Sequence, residues 1–177
     1  MNLFYKLFAK NNRENFDISN LIWSWIGSFL GLFAIAFFHR NFLDDSDLTL
    51  VLSSFGASAV LIYGAINSPL AQPKNLIGGH IISAIIGVFC YKLFGENLLF
   101  AAAIAVSSSI LVMQLTLTLH PPGGATALIA VIGTPQIHDL RYFFEIFPVF
   151  SGALILFLII FVKKKKKKIG HIQRVLK

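Results

Sequence analysis

Charge is what this sequence has least of. Charged residues make up 13% of its 177 residues, where a soluble domain carries about a quarter. Cysteine is nearly absent as well. The single one, Cys90, excludes a disulfide framework and a cysteine-based metal site. There is no His-Glu-x-x-His pattern, no glycine-rich phosphate loop and no long polar stretch that would make a soluble domain. An enzyme and a bound cofactor or metal are therefore not expected. Nor does the N-terminus pair a short apolar core with a small-residue cleavage site, so no removable leader is expected.

What is abundant is apolar sequence. Hydrophobic residues account for 56% of the chain and the mean hydropathy is +0.74. Several runs approach the roughly 20 residues that span a bilayer. The expected fold class is an all-α polytopic membrane protein, with the lipid bilayer as its main partner. The net charge of +7 could point to nucleic acid, but its distribution argues against that. Lys163 to Lys168 directly follow the last apolar run, and Lys6, Lys10 and Arg13 precede the first. Such clusters mark cytoplasmic flanks, and a basic tail also suits anionic headgroups.

Residues 1–20 read as an N-terminal cytoplasmic or interfacial segment, 21–162 as one transmembrane domain and 163–177 as a basic cytoplasmic tail. Apolar spans are predicted over 21–38, 48–66, 76–94, 98–119 and 142–162. A shorter element is predicted over 122–133. Gly27 and Gly31 in the first span make a small-xxx-small packing pair. The second ends in a polar loop with Asn67, Pro69, Gln72, Pro73 and Asn75, where the prolines stop the helix. His80 lies near the start of the third span and reads as interfacial, while Lys92 near its end can snorkel. Ser107 to Ser109, Gln114, Thr116 and Thr118 make the fourth span polar toward its second half.

The fourth span runs into His120-Pro121-Pro122-Gly123-Gly124-Ala125-Thr126-Ala127. Pro121 and Pro122 break a helix and suit the first turn of a new one. Gly123 and Gly124 permit close backbone approach. The stretch is either a helix break holding an imidazole or an ordinary loop between spans.

A second stretch resembles it. Gly56-Ala57-Ser58-Ala59-Val60-Leu61 matches Gly124-Ala125-Thr126-Ala127-Leu128-Ile129 in residue class, and each leads to a proline-bearing loop. Two halves of three elements, about 21–94 and 98–162, are expected, the second inverted relative to the first. Charge supports an even number of crossings. With Lys6 inside, Asp44, Asp45 and Asp47 fall outside, and six crossings return Lys163 to Lys168 to the cytoplasm.

Two segments together carry a family resemblance. One runs from Ser68 to His80, with Phe55-Gly56-Ala57 upstream, and the other from His120 to Leu128. The chain resembles the HPP family of small integral membrane proteins over about residues 21–162. That family often has alanine at the position of Gly123, and its descriptions usually count four spans rather than six. The resemblance implies a membrane protein, with some members linked to nitrite transport.

Helix N-termini attract anions through free N–H groups and partial positive charge. Two broken helices facing the midplane would build an anion site from His120, Gly123, Gly124, Ala125 and Thr126 on one half and Gly56, Ala57 and Ser58 on the other. His120 either donates to or exchanges a proton with a weak-acid anion, or merely caps carbonyls at the interface. Asn67, Gln72, Asn75, His80 and Gln114 are secondary candidates. Small residues at these positions equally serve helix packing. The histidines His39, His80, His120 and His138 are expected to lie at different ends. The expected function is passage of a small solute, first a small inorganic anion such as nitrite, by a homo-oligomer in the bacterial inner membrane with both termini cytoplasmic. The alternatives are a non-transporting membrane subunit or assembly factor and, third, an intramembrane enzyme.

Overall fold

A computed structural model describes residues 18–162. The expected N-terminal segment and basic tail lie almost wholly outside the described residues. Helix α1 spans Ile18–His39, α2 Asp45–Ala59, α3 Pro73–Phe94, α4 Leu98–Leu115, α5 Pro121–Ile132 and α6 Pro135–Leu140. Residues 151–162 form α7. No strand occurs among the described residues.

The helix starts follow directly from local chemistry. Asp44, Asn97 and Thr134 cap α2, α4 and α6 by accepting from the backbone N–H two or three residues on, which satisfies a donor the helix leaves free. Pro73, Pro121 and Pro135 each begin a helix at the position where no N–H is needed. Pro69 opens a single tight turn, Pro69–Ala71, in the loop before α3.

Among the described residues, five segments are long and apolar enough to cross a membrane: Ile18–His39, Asp45–Gly64, Pro73–Phe94, Leu98–Leu115 and Pro135–Val162. The sixth element, α5, has 12 residues, about 18 Å of helix at 1.5 Å per residue. The last long segment is not one straight helix. It turns at Arg141, whose φ is 49°, and at Phe147, which is extended and followed by a cis Phe147–Pro148 bond.

Side-chain contacts set the directions of these elements. Thr134, just past α5, bonds to Asp47 at the start of α2, with its N–H 2.9 Å from the carboxylate. The short helix therefore carries the chain from the Pro69–Ala71 end of the bundle to the opposite end. His39 at the end of α1 meets Ser151 at the start of α7, and Gly31 packs against Leu156. So α1 and α7 are antiparallel, and residues 18 and 162 lie at the same end.

The core is largely apolar, but so is the exterior, unlike that of a soluble protein. Trp25, Phe29, Phe33 and Phe37 stack along an exposed stripe of α1, and Leu99 is 87% exposed. Meanwhile His39, Asp47, Ser54, Ser58, His80, His120 and Thr126 are buried. An apolar exterior around polar interior groups fits a bilayer as solvent. Several hydroxyls, including Ser28, Ser53, Ser107 and Ser109, bond the carbonyl four residues back in their own helix.

Helices α3 and α5 run parallel and touch backbone to backbone. A Cβ on Gly123 would lie 2.9 Å from the Gly79 carbonyl oxygen, and one on Gly87 would lie 2.6 Å from the Ala127 carbonyl oxygen. Only glycine allows that approach.

Candidate functional site

The close approach of α3 and α5 brings two histidines into one buried network. His80 on α3 and His120 at the start of α5 are both 0% exposed, with ring centroids 5.0 Å apart. Ser58 on α2 sits between them, its Oγ 2.8 Å from His80 Nε2 and 3.0 Å from His120 Nε2. His80 Nδ1 lies 2.7 Å from Thr126 Oγ1 on α5. Ser54 Oγ is 3.0 Å from Thr126 Oγ1 and 3.1 Å from the Pro122 carbonyl oxygen. At the other end His120 Nδ1 is 3.0 Å from the Leu70 carbonyl oxygen, in the tight turn before α3. Phe55 covers the His80 ring at 4.8 Å between centroids.

The Leu70 carbonyl orients this chain of bonds. A carbonyl only accepts, so His120 Nδ1 carries the hydrogen. With neutral rings, His120 Nε2 then accepts from the Ser58 hydroxyl. Ser58 has no second hydrogen, so His80 Nε2–H donates to it, and its 3.3 Å approach to the Ser54 carbonyl oxygen carries none. His80 Nδ1 accepts from Thr126, and Ser54 donates to Thr126 or to Pro122. Five side chains from three helices thus form a single directed relay. Each heteroatom has a partner, as burial in a low dielectric demands.

Local structure explains how the relay is held. Asn75 Nδ2 donates to the Leu119 carbonyl oxygen at 2.8 Å and anchors the residue before His120. Thr118 is buried against Gly78 and Gly79, so residues 116–120 fold back along α3. His80 sits seven residues into α3, on the order of 10 Å from its start. His80 is not exposed at an interface, contrary to what its position suggested: Phe55, Ser58, His120 and Thr126 surround its ring. His80 and His120 also do not lie at different ends, as their sequence positions suggested. No group of three His, Cys, Asp or Glu residues placed to hold a metal occurs among the described residues.

The expected pair of facing helix N-termini is not what the fold builds. Gly56, Ala57 and Ser58 lie in the last turns of α2, which is continuous from Asp45, so their N–H groups belong to the helix. Only Ser58 reaches the site; Ala57 is exposed and Gly56 faces open space. The N-terminus of α5 is short of donors too. Pro121 and Pro122 have no N–H, and the Gly123 N–H bonds the His120 carbonyl oxygen at 2.8 Å. Gly123 packs against Ser83 and Gly79, while Gly124 faces Val106. Ala125 is half-buried beside them, and Thr126 is in the relay. The His120 ring makes no capping bond to its own helix. Among the secondary candidates, Gln72 bonds the Ser68 carbonyl oxygen in its own loop at 2.9 Å. Asn67 and Gln114 are exposed. Ser54, which the sequence left unmarked, joins the relay; its spacing of four from Ser58 on one helix face was the available signal.

Helices of spanning length, an apolar exterior and a polar interior network define a polytopic α-helical membrane protein. The chain belongs to the HPP family: the family described as HPP, transmembrane region, matches residues 13–168. A Dictyostelium discoideum protein described as a transmembrane protein is 48% identical over 146 residues, covering 80% of this chain and 50% of its own. A second from the same organism, with the same description, is 45% identical over 146 residues, covering 80% of this chain and 46% of its own. The chain thus spans about half the length of these curated relatives. No solved structure matches it.

Proposed function

We propose that this chain passes a small solute across the membrane along the meeting line of α2, α3 and α5. A small inorganic anion such as nitrite is the first candidate, with both termini cytoplasmic. One observation carries the reading: the buried Ser54–Thr126–His80–Ser58–His120 relay, which ends on the Leu70 carbonyl. An ion in hydrocarbon is penalised heavily. A weak-acid anion that takes up a proton crosses as a neutral species, and imidazole exchanges protons in the physiological range. The relay can move a proton without moving a heavy atom far. His80 takes one at Nδ1 from the Thr126 hydroxyl, which the entering weak acid replenishes as it becomes an anion, and releases one at Nε2 to Ser58. Ser58 passes its own to His120 Nε2, and His120 gives its Nδ1 proton to a water or anion at the Leu70 end, since the carbonyl oxygen itself does not take it.

In this reading the solute exchanges its proton with the relay and gains no helix-terminal amides, because the two prolines remove those amides. It is a transport reading, without an enzymatic step or a resident cofactor. An inverted duplication fits it. Ser58 and Thr126, equivalent in the internal match, bond the two ring nitrogens of the same His80, and the equivalent pair Ser54 and Pro122 touch. The second reading is a non-transporting subunit or assembly factor. What favours it is α1, which has only 17% of its spanning window buried and so offers a face to another copy or another protein.

Flux into proteoliposomes tests the proposal. Purified protein is loaded against nitrite, nitrate, formate and chloride, comparing wild type with His120→Ala, His80→Gln and Gly124→Leu. Nitrite uptake above empty vesicles, lost in both histidine variants, is the expected result. Uptake no faster than in empty vesicles for every anion would sink the transport reading and leave the subunit reading standing.

A further inference from the structure

A second polar region lies on the same α3–α5 seam at the end away from Leu70. Val88, Tyr91, Lys92, Ala130, Ile137, His138 and Arg141 enclose a cavity of about 230 Å³. Three nitrogen-bearing side chains line it and no carboxylate does. The parts are held in place. The Lys92 ammonium sits 4.3 Å from the centroid of the Tyr142 ring, so an aromatic face and not an acid steadies it. The Tyr91 and His138 rings stack at 3.6 Å between centroids. His138 Nε2 donates to the Val131 carbonyl oxygen at 3.1 Å, which spends a negative group at the end of α5. Arg141 adopts φ 49° and ψ −130°, an unfavourable backbone for a residue with a Cβ. Strain at a residue lining a cavity points to use.

We infer that this cavity, with Lys92 and Arg141 at its mouth and His138 on its wall, binds an oxyanion. The class is a small singly or doubly charged group with several acceptor oxygens, which guanidinium recognises in fork geometry. A free inorganic anion and a lipid phosphate share that chemistry. The site stands independently of solute passage, since it uses none of the relay residues. Its floor, Val88 and Ala130, belongs to the seam that carries the relay, so a free anion held here would stand at one mouth of that line.

The experiment is thermal unfolding of the whole purified chain in a neutral, phosphate-free detergent at constant ionic strength. The probes are nitrate, inorganic phosphate and a short-chain phosphatidylglycerol, titrated separately against chloride. The wild type is expected to show a saturable rise in midpoint with at least one oxyanion probe and none with chloride. A response to nitrate or phosphate identifies a free anion as ligand; a response to the lipid alone identifies a headgroup. In Lys92→Gln/Arg141→Gln the apparent affinity falls at least about ten- to a hundredfold, the loss of one charge-assisted hydrogen bond being the lower bound for two cations removed. Arg141→Gly guards against a folding artefact. It removes the guanidinium and relieves the backbone, so it unfolds no earlier than wild type yet loses affinity. No rise with any probe, or the same titration in wild type and Arg141→Gly, overturns the site.

Discussion

The two ends of the α3–α5 seam handle polarity in opposite ways. At the Leu70 end, Ser54, Ser58, His80, His120 and Thr126 are buried and bonded to one another. At the far end, Lys92 and Arg141 are exposed at the mouth of a cavity with no acid in its lining. The contrast follows from solvent. Deep in a helix bundle an unpartnered polar group costs several kcal/mol, on the order of one lost hydrogen bond or more, so the interior closes its network on itself. Near an interface, water and headgroups satisfy cations, and long side chains can reach them. One end is therefore specified by internal partners, and the other is free to take an external one.

Substitutions can break that contrast. The largest effect is expected at Gly79, where a Cβ would lie 2.9 Å from the Thr118 carbonyl oxygen and hard against His120. Gly79→Leu should cost about 3 kcal/mol or more by overpacking, read as an earlier unfolding transition in detergent. A Gly79→Leu protein as stable as wild type would show that α3 and the residues before α5 do not touch. Next comes Ser58→Ala, which strands both Nε2 atoms and should cost about 2 kcal/mol. A double-mutant cycle with His120→Ala sharpens this: additive losses would mean that the serine and the histidine do not interact. Thr134→Val removes the cap of α6 and its bonds to Asp44 and Asp47. About 1 kcal/mol is expected, as for the loss of a capping hydroxyl. The smallest effect belongs to Gly56→Ala. A Cβ there meets nothing within 4 Å, and the change should be neutral or stabilise by up to about 1 kcal/mol, because alanine is the better helix former. Marked destabilisation at Gly56 would place that face of α2 against a neighbour.

Much of the fold was legible from local features. Apolar runs locate the first four spans to within about four residues, because bilayer thickness and helix rise leave little choice; the last segment begins earlier than its apolar run, at Pro135, and is broken at Arg141 and Phe147. Pro69, Pro73, Pro121 and Pro135 mark where helices stop and start, because proline lacks an N–H. The short element over 122–133 appears as α5, with 12 residues against the five described segments of spanning length. Thr126, Ser58 and His120 were also identified from their motifs.

What only the tertiary structure decided is which of these residues meet, and what their backbones do. His80 looked interfacial because its depth was judged by distance along its own helix. Its burial comes from Phe55 and Ser58 on α2 and from His120 and Thr126 on α5, contacts of long sequence separation that no local pattern encodes. Gly56 to Ser58 matched the motif in residue class, yet α2 runs through them unbroken, since the match lacks the two prolines that stop a helix. Composition and periodicity determined a bundle of apolar helices punctuated by prolines. The close approach of glycines on α3 and α5 then turned two distant histidines and three hydroxyls into one hydrogen-bonded chain, because partners for buried polar groups are set by packing and not by order along the sequence.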